Sequence, residues 1–253
     1  GKVDKLIING AECEPYLNGD HLTMLNFPEQ LLKGIQLIRI ASGLDHCYYG
    51  IEKNKQDAID LLNSLHPENY GIEIVPEEVK YPQGGEKMQV KAVTGREVKP
   101  GGIPSGVGCN VVSTRTAYAI YQACYEGKPV IERIVTVAGS ALKAPVNALT
   151  RVGTPFEYLA EQCGGFVKTP RKIVLGGPMM GICATSFEAP TIKGTAGVLF
   201  FTEEEDRHVE HPTCIRCGKC ITVCPMNLEP VFMYMYYCLL YTSPSPRDKR
   251  QSR

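Results

Sequence analysis

Apolar residues recur at strand and helix spacings in turn through the first third of the chain. "KLIING" (5–10) is a short apolar run that reads as a strand entering a loop. In "FPEQLLKGIQLIRIASG" (27–43), Leu31, Ile35 and Ile38 fall on one helical face. Pro28 sits in the first turn there, and Gly43 is placed to end the helix. "CYYGIE" (47–52) reads as a second strand. "NKQDAIDLLNSL" (54–65) reads as a helix capped by Asn54, with Ile59, Leu62 and Leu65 facing a core. "GIEIVPEEV" (71–79) is a third strand, and this β–α–β–α–β order implies a mostly parallel sheet with helical crossovers. The glycine-rich stretch 81–110 reads as a loop leading into a helix at about 114–126 that stops at Gly127.

A different pattern follows. In "KPVIERIVTVAGS", Val135 and Val137 alternate with polar neighbours, as in a half-buried strand. "TPFEYLAEQCGG" (154–165) predicts a short helix with Thr154 as N-cap, Pro155 at the first position and Glu157 completing a capping box. "KIVLGG" (172–177) and "GVLFF" (197–201) supply further strands, so a small α+β module is expected. The acidic "TEEEDRHVEH" (202–211) reads as a solvated linker. After about Tyr237 the chain turns basic and rich in serine and proline, and 238–253 reads as a non-native tail.

Composition narrows the class only a little. Twenty-seven basic and 27 acidic residues cancel over 253 positions, which gives no electrostatic reason to expect nucleic acid as a partner. The longest apolar run, 231–241, is too short for a membrane helix, which needs about 20 residues. Eleven cysteines are an odd number in a chain large enough to fold without staples, so reduced thiols are expected rather than a disulfide framework.

Four of those cysteines are concentrated. Cys214, Cys217, Cys220 and Cys224 form C-x2-C-x2-C-x3-C-P. Thiolates suit iron, and this spacing lets a short loop wrap one face of a [4Fe–4S] cubane. Zinc is the competing reading, but zinc sites commonly separate two cysteine pairs by a longer segment or add histidines. His208 and His211 do not complete such a pattern. In two-cluster ferredoxin-type proteins the fourth cysteine of such a run serves the other cluster. The run therefore counts as three ligands plus Cys224 for a second cluster.

On these residues the chain resembles the RnfC (RsxC) family of the ion-translocating electron transport complex. The segments that carry the resemblance are "INGAECEPYLNGDH" (8–21), "YPQGGEKMQVKAVTGREVKPGGIP" (81–104), "ERIVTVAG" (132–139), "RVGTP" (151–155), "GGPMMG" (176–181), "IKGTAGVL" (192–199) and the cysteine run. The resemblance implies an α/β fold, with a complex I flavoprotein-like (51 kDa-type) parallel-sheet domain over 1–128. A β-grasp (SLBB-like) module over 129–201 and a ferredoxin-like 4Fe-4S segment over 202–237 would follow. It also implies FMN, NAD(H) as substrate and two 4Fe-4S clusters in the intact protein. The partners implied are the other subunits of the membrane complex and iron–sulfur or ferredoxin electron carriers. The location implied is peripheral, on the cytoplasmic face of the bacterial cell membrane.

The resemblance places Glu12 and Glu14 of "AECEP" beside the flavin and nicotinamide. It also places Gly84, Gly85 and Glu86 where backbone N–H groups meet a phosphate. "NVVSTRT" departs from the family's Asn-Val pair, and Asn110 is the residue expected to compensate. The family's upstream glycine-rich loop and its second cysteine run are missing from this sequence, so the fragment is expected to be inactive alone. No side chain is assigned a catalytic role. Two other functions are weighed against this one: a related microcompartment cobalamin reductase, and a non-catalytic ligand-binding scaffold with a structural cluster.

Overall fold

The computed structural model describes residues 2–205, 213–224 and 227–238. The chain divides into two compact units, Gly1–Arg207 and His208–Arg253. The first unit holds two sheets.

The first sheet has the order β3-β2-β1-β4 and is parallel throughout. Its strands are β1 (Lys5–Asn9), β2 (Cys47–Glu52), β3 (Ile72–Glu77) and β4 (Cys109–Ser113). Strand β1 alternates as the pleat requires. Leu6 and Ile8 enter the main core with Leu31, Leu32, Ile35 and Leu62, whereas Ile7 packs on the other face with Val90 and Cys109. The first face is covered by α1 (Gly19–Asn26), α2 (Pro28–Ala41), α3 (Gln56–Ser64) and α5 (Thr114–Glu126), and the second by α4 (Glu86–Thr94). The chain steps from β1 to β2 to β3 in one direction, then returns past β1 to β4. A right-handed crossover in the reversed direction must run over the opposite face, which is where α4 lies.

The second sheet has the order β6-β5-β9-β7-β8. It is built from β5 (Glu132–Ala138), β6 (Val146–Arg151), β7 (Lys172–Leu175), β8 (Ile182–Ala184) and β9 (Gly197–Phe201). Only β5 and β9 pair in parallel. Helix α6 (Phe156–Gln162) presses Phe156, Leu159 and Ala160 onto Val135, Val137, Val198 and Phe200. This mixed sheet with one packed helix is the expected β-grasp arrangement. In the second unit, α7 (Lys219–Thr222) follows the cysteine loop and α8 (Pro230–Cys238) comes after it.

Several local expectations need correction. Asn54 caps nothing, because α3 starts at Gln56 after Lys55, with no side-chain cap bond. The capping box at Thr154 and Glu157 does not form. The Thr154 hydroxyl instead donates back to the Arg151 carbonyl at 2.8 Å, and Pro155 stands at the N-cap of α6. The stretch 81–110, read as loop, contains α4 and the start of β4, while α1, β6 and β8 went unforeseen. Helix α5 begins and ends as expected, with Ser113 accepting the Thr116 N–H and Gly127 in the left-handed region. The proposed tail lies outside the described residues, apart from the Cys238 backbone.

Candidate functional site

A reversal of strand order leaves a crevice at the carboxyl ends of the two strands that flank it, here β1 and β4. Asn9, the last residue of β1, organises this edge. Its Nδ2 donates to the Gly84 carbonyl at 2.9 Å, its Oδ1 accepts from Ala11 N–H at 3.1 Å, and its carbonyl accepts from the Thr114 hydroxyl at 3.0 Å. One amide side chain and its own carbonyl thus hold the loop after β1, the glycine turn before α4 and the start of α5. Gly84 has to be glycine or give way, since a Cβ there would lie 3.0 Å from Ala11 O and 3.1 Å from Cys13 Sγ.

The edge is rich in buried acids. Glu12 accepts the Asp20 and His21 N–H groups at the start of α1, at 3.1 and 3.3 Å. Burial, and then the neighbouring Asp20 carboxylate, push the Glu12 carboxyl up to about 7. Asp20 in turn faces Arg115 Nε at 2.8 Å. Glu52, at the end of β2, accepts the Glu12 N–H at 3.1 Å. Tyr49 donates to or accepts from Thr114 Oγ1 at 2.9 Å, and burial pushes its phenol far above the ordinary range.

The loop after β1 lies against the second sheet. Tyr16 meets the Phe201 ring edge-on with centroids 5.4 Å apart, and Asn18 N–H reaches Thr136 Oγ1 at 3.5 Å. Glu14 Oε2 accepts the Met179 N–H at 2.9 Å, and Gly177 packs on the same carboxylate, where a Cβ would lie 2.6 Å from Cδ. The other oxygen, Glu14 Oε1, is buried and has no hydrogen-bond partner among the described residues. An orphaned acceptor beside two glycine-containing turns fits a ligand that brings its own donor.

The structure thus brings Glu12, Glu14, Gly84, Gly85 and Glu86 to one edge. Asn110 is elsewhere: it pairs with Leu6 near the start of β4 and is exposed. The residue of β4 level with Asn9 is Ser113. Sequence reasoning missed Asn9, Glu52, Glu77 and Arg115. For three of them a signal was present, a polar or acidic side chain ending an apolar strand: "KLIIN", "CYYGIE" and "IEIVPE".

In the second unit Cys214, Cys217 and Cys220 are exposed and Cys224 is half-buried. Arg216 and Gly218 both take positive φ, 58° and 74°, so the chain turns between successive cysteines. The Leu228 N–H points at Cys224 Sγ at 3.3 Å. Among the described residues, however, no three His, Cys, Asp or Glu side chains are grouped closely enough to hold a metal ion. The donor chemistry fits iron, while the sulfur atoms are not gathered around a centre.

Comparison with known proteins places these features. Residues 1–122 match the Nuo51 FMN-binding domain and 134–182 the SLBB domain. Over 229 residues the chain is 42% identical to the RnfC-type member of the proton-translocating ferredoxin:NAD(+) oxidoreductase complex of Clostridium ljungdahlii, covering 90% of this chain and 50% of that protein. Its counterpart in the Na(+)-translocating complex of Acetobacterium woodii is 40% identical over 235 residues, 93% of this chain and 53% of its own length. The chain belongs to the RnfC family. It spans about half the length of the curated relatives it matches. A solved NAD+-reducing [NiFe]-hydrogenase structure matches the fold with TM-score 0.64 at 21% identity, over 80% of this chain and 41% of the matched chain. This RnfC chain thus carries the expected flavoprotein-like domain and SLBB module in the expected order.

Proposed function

We propose that this chain is the flavin-domain and SLBB portion of an electron-transfer subunit in an ion-translocating ferredoxin:NAD oxidoreductase complex. The observation that carries the reading is identity of about 40% with named RnfC-type proteins of such complexes, over about nine-tenths of the chain. Flavin bound at the crevice would accept a hydride from the nicotinamide and release electrons singly. The Gly84–Gly85 turn and the first N–H groups of α4 would hold a phosphate, because the start of a helix presents unpaired donors. Glu14 Oε1 would accept a hydrogen bond from the ligand, and Glu12 would hold the start of α1 beside it, carrying its proton near neutral pH. Asn110 has no part in this site.

Cys214, Cys217 and Cys220 would hold one 4Fe-4S cluster and Cys224 would serve a second. The partners would be the remaining subunits of the complex, met from the cytoplasmic side of the membrane. No helix among the described residues is long and apolar enough to cross a bilayer.

The test is reduction in the assembled complex. With the protein in place, NADH or reduced ferredoxin should bleach the iron–sulfur absorbance, and Cys217→Ser should abolish that change and lower bound iron. A cluster that neither donor reduces refutes electron transfer and favours a scaffold role.

A further inference from the structure

The end of β3 carries a buried group that the proposed cofactor site does not use. Glu77, Gln83 and Gln89 are 4%, 3% and 0% exposed. Glu77 Oε2 accepts from Gln83 Nε2 at 3.1 Å and from Gln89 Nε2 at 2.6 Å, and Gln89 Nε2 also reaches the Gln83 carbonyl at 3.2 Å. The two remaining oxygens, Glu77 Oε1 and Gln89 Oε1, are buried and have no hydrogen-bond partner among the described residues. Both lean over Gly50: a Cβ built there would lie 2.5 Å from Glu77 Oε1 and 2.6 Å from Gln89 Oε1.

Two orphaned acceptors in one confined space require a donor. Turning the Gln89 amide over does not supply one. Its oxygen would then lie 2.6 Å from Glu77 Oε2 and 3.2 Å from the Gln83 carbonyl, both of them acceptors. A space too tight for a methyl on Gly50 is also too tight for a water there. A hard cation would need six or more oxygens rather than two. A proton meets every constraint.

We infer that Glu77 is held as the neutral carboxylic acid, its Oε1 proton shared with Gln89 Oε1, and that this link positions the Gly84–Gly85 turn at the sheet edge. Glu77 is a positioning residue: it joins the end of β3 to both ends of the segment 83–89, which carries the two glycines. Only the importance of the turn rests on the proposed cofactor reading, whereas the protonation stands on the geometry.

The surrounding charges agree. From β2, the Glu52 carboxylate faces Glu77, while the nearby Lys53 ammonium is paired with exposed Glu78. On α4, Lys91 is paired with Glu97, and Glu86 is exposed. Burial pushes the Glu77 carboxyl above its ordinary value and Glu52 adds to the rise, against the pull of the two amide donors. The fold therefore favours the protonated form. The stability this confers is complete below the ordinary carboxylate value and is lost as pH rises toward the raised one.

The experiment uses the full chain without cofactor, so that its outcome is separate from flavin binding. Glu77→Gln is isosteric with the neutral acid and supplies an N–H where the proton sits. Infrared difference spectra of wild type minus E77Q at pH 7 should show one carboxylic-acid carbonyl stretch. The urea midpoint of E77Q relative to wild type should also be higher at pH 8 than at pH 5. An ionised-carboxylate band in place of the acid band, a midpoint difference independent of pH, or an E77Q chain that does not fold at pH 8 overturns the inference.

Discussion

Gly34 offers a test of how closely α2 and α5 approach. Alanine in place of glycine inside a helix ordinarily stabilises by about 1 kcal/mol, because it removes backbone freedom from the unfolded chain. At Gly34 the added methyl would lie 2.9 Å from the Ala117 carbonyl carbon, closer still to its oxygen, and 3.2 Å from Tyr121 Cβ. Carbon atoms pack best at about 3.5–4.0 Å, so the two helices must part by roughly half an ångström or more. The obstacle is helix backbone, which cannot swing aside as a side-chain tip can. Parting the helices also loosens Leu31, Ile35 and Ile38 against Ala117, all of them members of one core. Overpacking of this kind costs about 1–3 kcal/mol and sometimes more. Set against the helix gain, Gly34→Ala should destabilise by about 1–2 kcal/mol, a fall of about 2–8 °C in Tm for a chain of this size. Thermal melting followed by circular dichroism, checked by urea titration, reads this directly. A G34A protein as stable as wild type or more so would show that α2 and α5 do not touch at this point, and the packing described above would be wrong.

Two further outcomes follow from the same geometry. Glu12 should titrate with a midpoint near 7 in a carbon-13 NMR titration of the glutamate carboxyls, the resonance being assigned by its loss in Glu12→Gln. Its raised value means that its contribution to stability is present at acidic pH and lost as pH climbs through about 7; a midpoint in the ordinary carboxylate range contradicts this. Phe156→Ala should destabilise by about 3–5 kcal/mol, since the ring is 1% exposed beneath the second sheet. A loss under about 1 kcal/mol in urea would mean the helix is not anchored there.

Strands and helices with uniform periodicity were legible from the residues alone. β2 was read as Cys47–Glu52 and is Cys47–Glu52, and the apolar face of α2 points inward as its spacing required. Legibility failed where tertiary contact overrode local pattern. Helix α4 holds "EKMQVKAVT" between glycine and proline signals, and its buried stripe includes the polar Gln89, so no apolar period announces it. Strand β6, "VNALTR", is an edge whose burial alternates weakly. The Thr154 side chain was read as a cap for its own helix, but a carbonyl three residues back competes for its hydroxyl. In the site, the motif residues Glu12, Glu14, Gly84, Gly85 and Glu86 were legible from resemblance. Glu77 and Gln89 were not, because their meaning lies in a pairing across 12 positions that depends on Gly50 of a third segment.

The contact between Glu14 and Met179 has a consequence for the order in which the protein is assembled. Thr114 reaches Asn9 across 105 residues, and Met179 reaches Glu14 across 165. Ribosomes add about 5–20 residues per second, so the loop carrying Glu14 emerges on the order of 10 s before the turn that caps it. Throughout that interval the first sheet can close, yet the crevice keeps an unpartnered carboxylate and an open side. The flavin-type domain is therefore finished by its neighbour: the last wall of the crevice is delivered by the module made after it.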